Sequence, residues 1–148
     1  MSAPHPFFAS GSAAGDGPDL PVAMAHRGFS RDGMENSMAA FRAAVELGFR
    51  YLETDVHTTA DGVLLLFHDE TLDRVTDGHG RISELPAETV ARARIGGAEP
   101  IPLFEELAAA LPDVRFNLDV KDWNSVDTLA AAIERFGLHD RVLIASFS

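Results

Sequence analysis

Cysteine is absent from all 148 residues, so disulfides and thiolate zinc sites play no part. Basic residues are few. There are 12 Lys and Arg against 23 Asp and Glu, a formal net charge of −11 at pH 7. A surface of that sign repels nucleic acid and anionic lipid, and it attracts divalent cations. No apolar run approaches the roughly 18 residues of a membrane span, so no stable membrane insertion is expected. No Lys or Arg precedes Arg27, a poor match to a secretory signal. A soluble cytoplasmic protein is the resulting expectation. What the chain does have is apolar substance: 46% hydrophobic residues, enough for a core, in a length that suits one domain.

Residues 1–20 are rich in Ser, Ala, Gly and Pro and read as a flexible lead-in. Within them His5-Pro6-Phe7-Phe8 is the one apolar spot that could tuck against the body, though a disordered tail is the favoured reading. Val22 to Ala25 fits a buried strand ending at His26-Arg27-Gly28. A helix follows from about Ser37 to Leu47, capped by Asn36 or Ser37 and closed by Gly48. Tyr51 to His57 alternates, with Leu52, Thr54 and Val56 on one face and Tyr51, Glu53, Asp55 and His57 on the other. Asp61-Gly62 signals a turn, and Val63 to Phe67 a returning strand. With that turn centred between Ala60 and Asp61, His68 falls opposite Glu53.

Further on, the sequence predicts a short helix near Pro86 to Arg94. Another opens at Pro102 with Leu103, Leu107 and Leu111 inward. A strand from Val114 to Lys121 follows, then a helix from Val126 to Phe136 burying Leu129, Ala130, Ile133 and Phe136. Val142 to Ala145 reads as a last buried strand. Alternating strands and helices imply an α/β fold.

Two carboxylates one pleat apart, Glu53 and Asp55, can grip a hard cation, or can belong to a solvated hairpin. A lone His-Arg pair such as His26-Arg27 is more often ordinary surface, unless other residues converge on it to make a site. Strand-end placement of His26, Glu53, Asp55, Asp119 and Lys121 on successive strands favours a site. In a parallel barrel, catalytic groups gather at the C-terminal strand ends.

Ala25-His26-Arg27-Gly28, Glu35-Asn36-Ser37, Glu53-Thr54-Asp55-Val56, Asp61-Gly62, His68-Asp69, Leu72-Asp73-Arg74-Val75-Thr76, Ile101-Pro102 and Asn117-Leu118-Asp119-Val120-Lys121, in that order, resemble the glycerophosphodiester phosphodiesterase family. The resemblance runs from about Val22 onward. It implies the N-terminal half of a TIM-type (β/α)8 barrel, spanning 21–148, with a small insertion after the first hairpin. It also implies metal-dependent hydrolysis of glycerophosphodiesters to glycerol 3-phosphate and an alcohol. By position, His26 and His68 match the family's catalytic histidines, and Arg27 its phosphate-binding arginine. Lys121 matches a lysine that approaches the phosphate. Glu53, Asp55 and Asp119 match the metal carboxylates, an oxygen set suited to Mg²⁺ or Ca²⁺. His57 matches no catalytic position and reads as structural.

Met34 stands where the family usually has proline, Ser37 where it has threonine, and Asp119 where glutamate is commoner. The chain is also short for a barrel of about 250 residues. Two rival readings remain: a lysophospholipase-D-like phosphodiesterase of related fold, and a non-catalytic remnant that binds metal or phosphate.

Overall fold

The computed structural model describes residues 6–8 and 22–146. Strand β1 (Met24–His26) leads through helix α1 (Met38–Glu46) to β2 (Tyr51–Thr58), and β1 and β2 pair in parallel. Strand β3 (Leu64–Leu66) returns antiparallel on β2. Next come α2 (Ala87–Val90), the short hairpin β4 (Arg94–Ile95) and β5 (Glu99–Pro100), and α3 (Phe104–Ala110). Strand β6 (Arg115–Val120), helix α4 (Asn124–Phe136) and β7 (Val142–Ala145) complete the order. The parallel strands lie as β1-β2-β6-β7, with β3 branching off β2. Parallel strands in this order, joined through helices, are the first part of a (β/α)8 barrel.

The alternation read from the sequence sorts the faces. Leu52 and Val56 from β2, and Phe116, Leu118 and Val120 from β6, are buried in one apolar cluster with Phe41, Leu107 and Leu129 from the helices. Their polar alternates lie on the other face, in register from Tyr51↔Arg115 to Asp55↔Asp119. Strand β3 has no polar face because it separates two cores. Leu64 and Leu66 join the main cluster, whereas Leu65 and Phe67 join a second one with Leu72, Ile82, Val90, Ala93, Ile95 and Ile101. That second cluster is the core of the insertion.

Several expectations need correction. The hairpin turn is centred on Asp61, half a residue further than expected, which shifts the pairing register by one residue. Thr59 carbonyl accepts from Gly62 N–H, Thr59 Oγ1 donates to Asp61 Oδ1, and Gly62 takes φ 85°. This makes a three-residue loop ending in a left-handed glycine, and His57 pairs with Leu65. Continued past the strand end, that register sets Asp69, not His68, opposite Glu53. Helix α3 buries Phe104, Leu107 and Ala108, while Leu103 and Leu111, which flank the helix as its caps, are only partly buried, Leu103 against the second cluster and Leu111 against the main one. In α4, Leu129 and Ile133 are buried but Ala130 and Phe136 are exposed. In β7, Leu143 and Ile144 are exposed, since no described strand pairs with its outer edge. Pro6–Phe8 forms a single 3-10 turn with Phe7 fully buried, its ring edge-on to Tyr51 at 5.4 Å, and its carbonyl accepting from the Tyr51 hydroxyl. The tuck is therefore realised there; the rest of the lead-in lies outside the described residues.

Candidate active site

The polar groups collect where β1 and β6 end, on either side of the middle of β2. His26 stands in register with Glu53, and its Nε2 lies 3.8 Å from Glu53 Oε2. Arg27 leaves the strand in the left-handed region, φ 55°, followed by Gly28 at φ 80°. That bend turns the Arg27 side chain onto the same side as the β2 carboxylates. Nε lies 3.3 Å from Asp55 Oδ2, and Nη1 donates to Glu35 Oε1 at 3.2 Å. Gly28 is required for packing as well. A Cβ there would lie 2.7 Å from the Ala40 carbonyl carbon.

Asp55 and Asp119 are register partners on adjacent strands, 1% and 5% exposed. Lys121 Nζ sits between them, 3.1 Å from Asp55 Oδ1 and 2.5 Å from Asp119 Oδ2. Burial pulls the Lys121 ammonium down, but Asp119 and Asp55 outweigh it and hold the group above its usual range. Asp119 Oδ1 is buried without a hydrogen-bond partner among the described residues. Asn36, at φ 57°, is buried and donates through Nδ2 to Asp55 Oδ2 at 3.0 Å, while accepting from Thr54 Oγ1 at 2.8 Å. Ser37 alone therefore caps α1, through the Ala40 N–H. Glu53 is raised above its usual range by burial and then by Asp55, against the pull of His26 and Arg27.

His68 lies two residues beyond β3. Its Nδ1 bonds Asp69 Oδ1 at 2.6 Å. Arg74 grips Asp69 with two nitrogens, Nε to Oδ2 at 2.6 Å and Nη2 to Oδ1 at 2.9 Å. The same Nη2 donates to Glu35 Oε1 at 2.7 Å. Chiefly because of Arg74, Asp69 falls to about 2. His57 is 2% exposed, with Nδ1 2.9 Å from Asp122 Oδ2 and Nε2 3.2 Å from the His68 carbonyl. It holds the His68 backbone, the structural part expected of it. Asp122 also accepts from Ser125 N–H at the start of α4.

The structure thus gathers Arg27, Asp55, Asp119 and Lys121 tightly, sets His26 at the end of β1 beside Glu53, and ties His68 in through Asp69, Arg74 and Glu35. Glu53 and Asp55 lie not late in β2, as expected, but third and fifth of its eight residues, because the strand runs on to pair with β3. Sequence reasoning gave no role to Glu35, Asp69 or Arg74, and treated Asn36 only as a cap. All four were visible only as members of the recognised motifs. Among the described residues, no three carboxylates or imidazoles are grouped closely enough to enclose an ion. The donor chemistry still suits a hard cation: every candidate ligand is a carboxylate oxygen, and Asp119 Oδ1 is buried and unpartnered.

Residues 26–148 match the family model for the glycerophosphoryl diester phosphodiesterase family. A protein of Mycobacterium tuberculosis named probable glycerophosphodiester phosphodiesterase 2 is 44% identical over 128 residues, 86% of this chain and 48% of the relative. A glycerophosphodiester phosphodiesterase of Caldanaerobacter subterraneus is 34% identical, over 86% of this chain and 58% of the relative. Among solved structures, the glycerophosphodiester phosphodiesterase of Agrobacterium tumefaciens superposes with a TM-score of 0.79 at 30% identity, covering 84% of this chain and 57% of that one. A phosphodiesterase of Oleispira antarctica, solved with the product sn-glycerol-3-phosphate, gives 0.75 at 30% identity, covering 88% and 59%. The chain spans about half the length of the curated relatives it matches.

Proposed function

The chain belongs to the glycerophosphoryl diester phosphodiesterase family, and from that premise we propose that the whole protein hydrolyses glycerophosphodiesters to glycerol 3-phosphate and an alcohol. The observation that carries this reading is the convergence of two basic side chains, Arg27 and Lys121, on the buried, register-paired carboxylates Asp55 and Asp119. A phosphodiester is singly negative, and its transition state gathers more charge. Arg27 and Lys121 offset that charge from fixed positions.

His26 and His68 divide the proton work. One takes the proton of the glycerol 2-hydroxyl as that oxygen attacks phosphorus, and the other gives a proton to the departing alcohol oxygen. Water then opens the cyclic phosphate, with the proton transfers reversed. With Nδ1 of His68 committed to Asp69, Nε2 is the atom left for this exchange. Glu53, Asp55 and Asp119 would hold a divalent cation, Mg²⁺ or Ca²⁺. When bound, such an ion supplies further charge neutralisation at the phosphate.

The test is turnover by the full-length protein. Glycerophosphocholine should be cleaved, and His26→Ala and His68→Ala should each cut kcat by about 10²-fold or more with little change in folding. Preference for lysophosphatidylcholine would move the activity to a lysophospholipase D. Absence of turnover on either substrate would leave a non-catalytic binding domain.

A further inference from the structure

We propose that Arg74, carried by the insertion, is a positioning residue that holds His68 and Arg27 in their working orientations through Asp69 and Glu35. The proposal rests on the reading of His68 and Arg27 given above.

One guanidinium contacts Asp69, the carboxylate on His68, and Glu35, one of the two carboxylates on Arg27. Asp69 receives Nε and Nη2, a two-point grip that fixes the carboxylate plane. Its Oδ1, so fixed, meets His68 Nδ1. A carboxylate on Nδ1 holds the proton there and leaves Nε2 as the exchanging atom. Glu35 receives Nη2 from Arg74 and Nη1 from Arg27 on the same oxygen, Oε1. That oxygen stays put only while both arginines hold it, and Arg27 loses one of its two anionic contacts if it moves.

An isolated exposed ion pair would contribute little, and Arg74 is half exposed. The arrangement differs from such a pair in two respects. Arg74 bridges two carboxylates that belong to different parts of the chain, and each is only about a quarter exposed. Lysine lacks the planar fork needed to span them, so charge alone does not substitute.

The test uses the full-length protein as wild type, Arg74→Ala, Arg74→Lys and, as a control, Arg81→Ala. Arg81 is another exposed, ion-paired arginine of the insertion, bound to Glu70. In ¹⁵N-resolved imidazole spectra of the neutral ring, His68 should be the Nδ1–H tautomer in wild type and in Arg81→Ala. It should become a mixture in both Arg74 variants. With glycerophosphocholine, Arg74→Ala should lower kcat by about 10- to 100-fold and raise KM, with Arg74→Lys recovering little of either. Added methylguanidinium should restore part of the Arg74→Ala rate. An unchanged His68 tautomer in Arg74→Ala overturns the proposal, as does a rate loss matched by Arg81→Ala. The tautomer needs no substrate. A protein without turnover would therefore refute the proposed activity while leaving Arg74's hold on His68 measurable.

Discussion

At the scale of single residues, burial and charge set two opposite pH dependences. Glu53 is raised above its usual range, mainly by burial and then by Asp55. Its ionisation therefore opposes folding, and the loss of stability develops as pH rises through its folded value. Glu53→Gln should raise the urea midpoint at pH 7 in the absence of divalent ions. The gain should vanish below about pH 4, where the wild-type carboxyl is already protonated. Added Mg²⁺ or Ca²⁺ should stabilise wild type more than the variant. A urea midpoint for Glu53→Gln no higher than wild type would count against the electrostatic account. Asp69 shows the reverse sign. Arg74 depresses it from 3.8 to about 2, so its contribution is present above its unfolded value and is lost as pH falls from about 4 to about 2. Asp69→Asn should flatten the stability–pH curve in that window. The residue types of the site were legible, since strand alternation alone placed Glu53, Asp55, Asp119 and Lys121 on one face. The backbone states of Arg27 and Asn36, both at positive φ without being glycine, were not. Nothing in a sequence distinguishes an Asn that caps a helix from one that turns to hold a carboxylate.

At the scale of elements, the approach of β1 to α1 depends on one glycine. Gly28→Ala would combine φ 80° with a 2.7 Å clash against the Ala40 backbone. We expect a loss of roughly 2 kcal/mol or more, read by chemical denaturation, with turnover falling as Arg27 is displaced. Gly33→Ala meets nothing within 4 Å, so it should cost less by the clash alone. Most elements were legible from periodicity. The faults came where tertiary context outweighs local pattern. The hairpin register moved by one residue because Thr59 and Asp61 bond each other. The apolar run of β7 did not predict burial, because burial depends on a neighbour that a strand cannot specify by itself. The short β4–β5 pair went unpredicted; two-residue strands carry no period to detect.

At the scale of the whole molecule, β7 leaves its outer edge unpaired among the described residues, with Leu143, Ile144, Trp123 and Val126 exposed close by. Unprotected edges with apolar side chains recruit other strands. The 148-residue chain on its own should self-associate in sedimentation velocity at micromolar concentration, and a clean monomer would contradict this. A different consequence follows from β3, whose alternate leucines belong to separate cores. Arg27, Asp55 and Asp119 are built on the main one; His68, Asp69 and Arg74 flank the other. The two clusters are joined through a three-residue strand, so the insertion can open as its own cooperative unit while the parallel sheet stays folded. Amides around Ile82 and Ile95 should then exchange with solvent sooner than those of β2 and β6. The protein would pass through a state that keeps its charged cradle intact but has lost His68, one of the two histidines proposed for proton transfer, its chemistry switched off while the sheet stays folded.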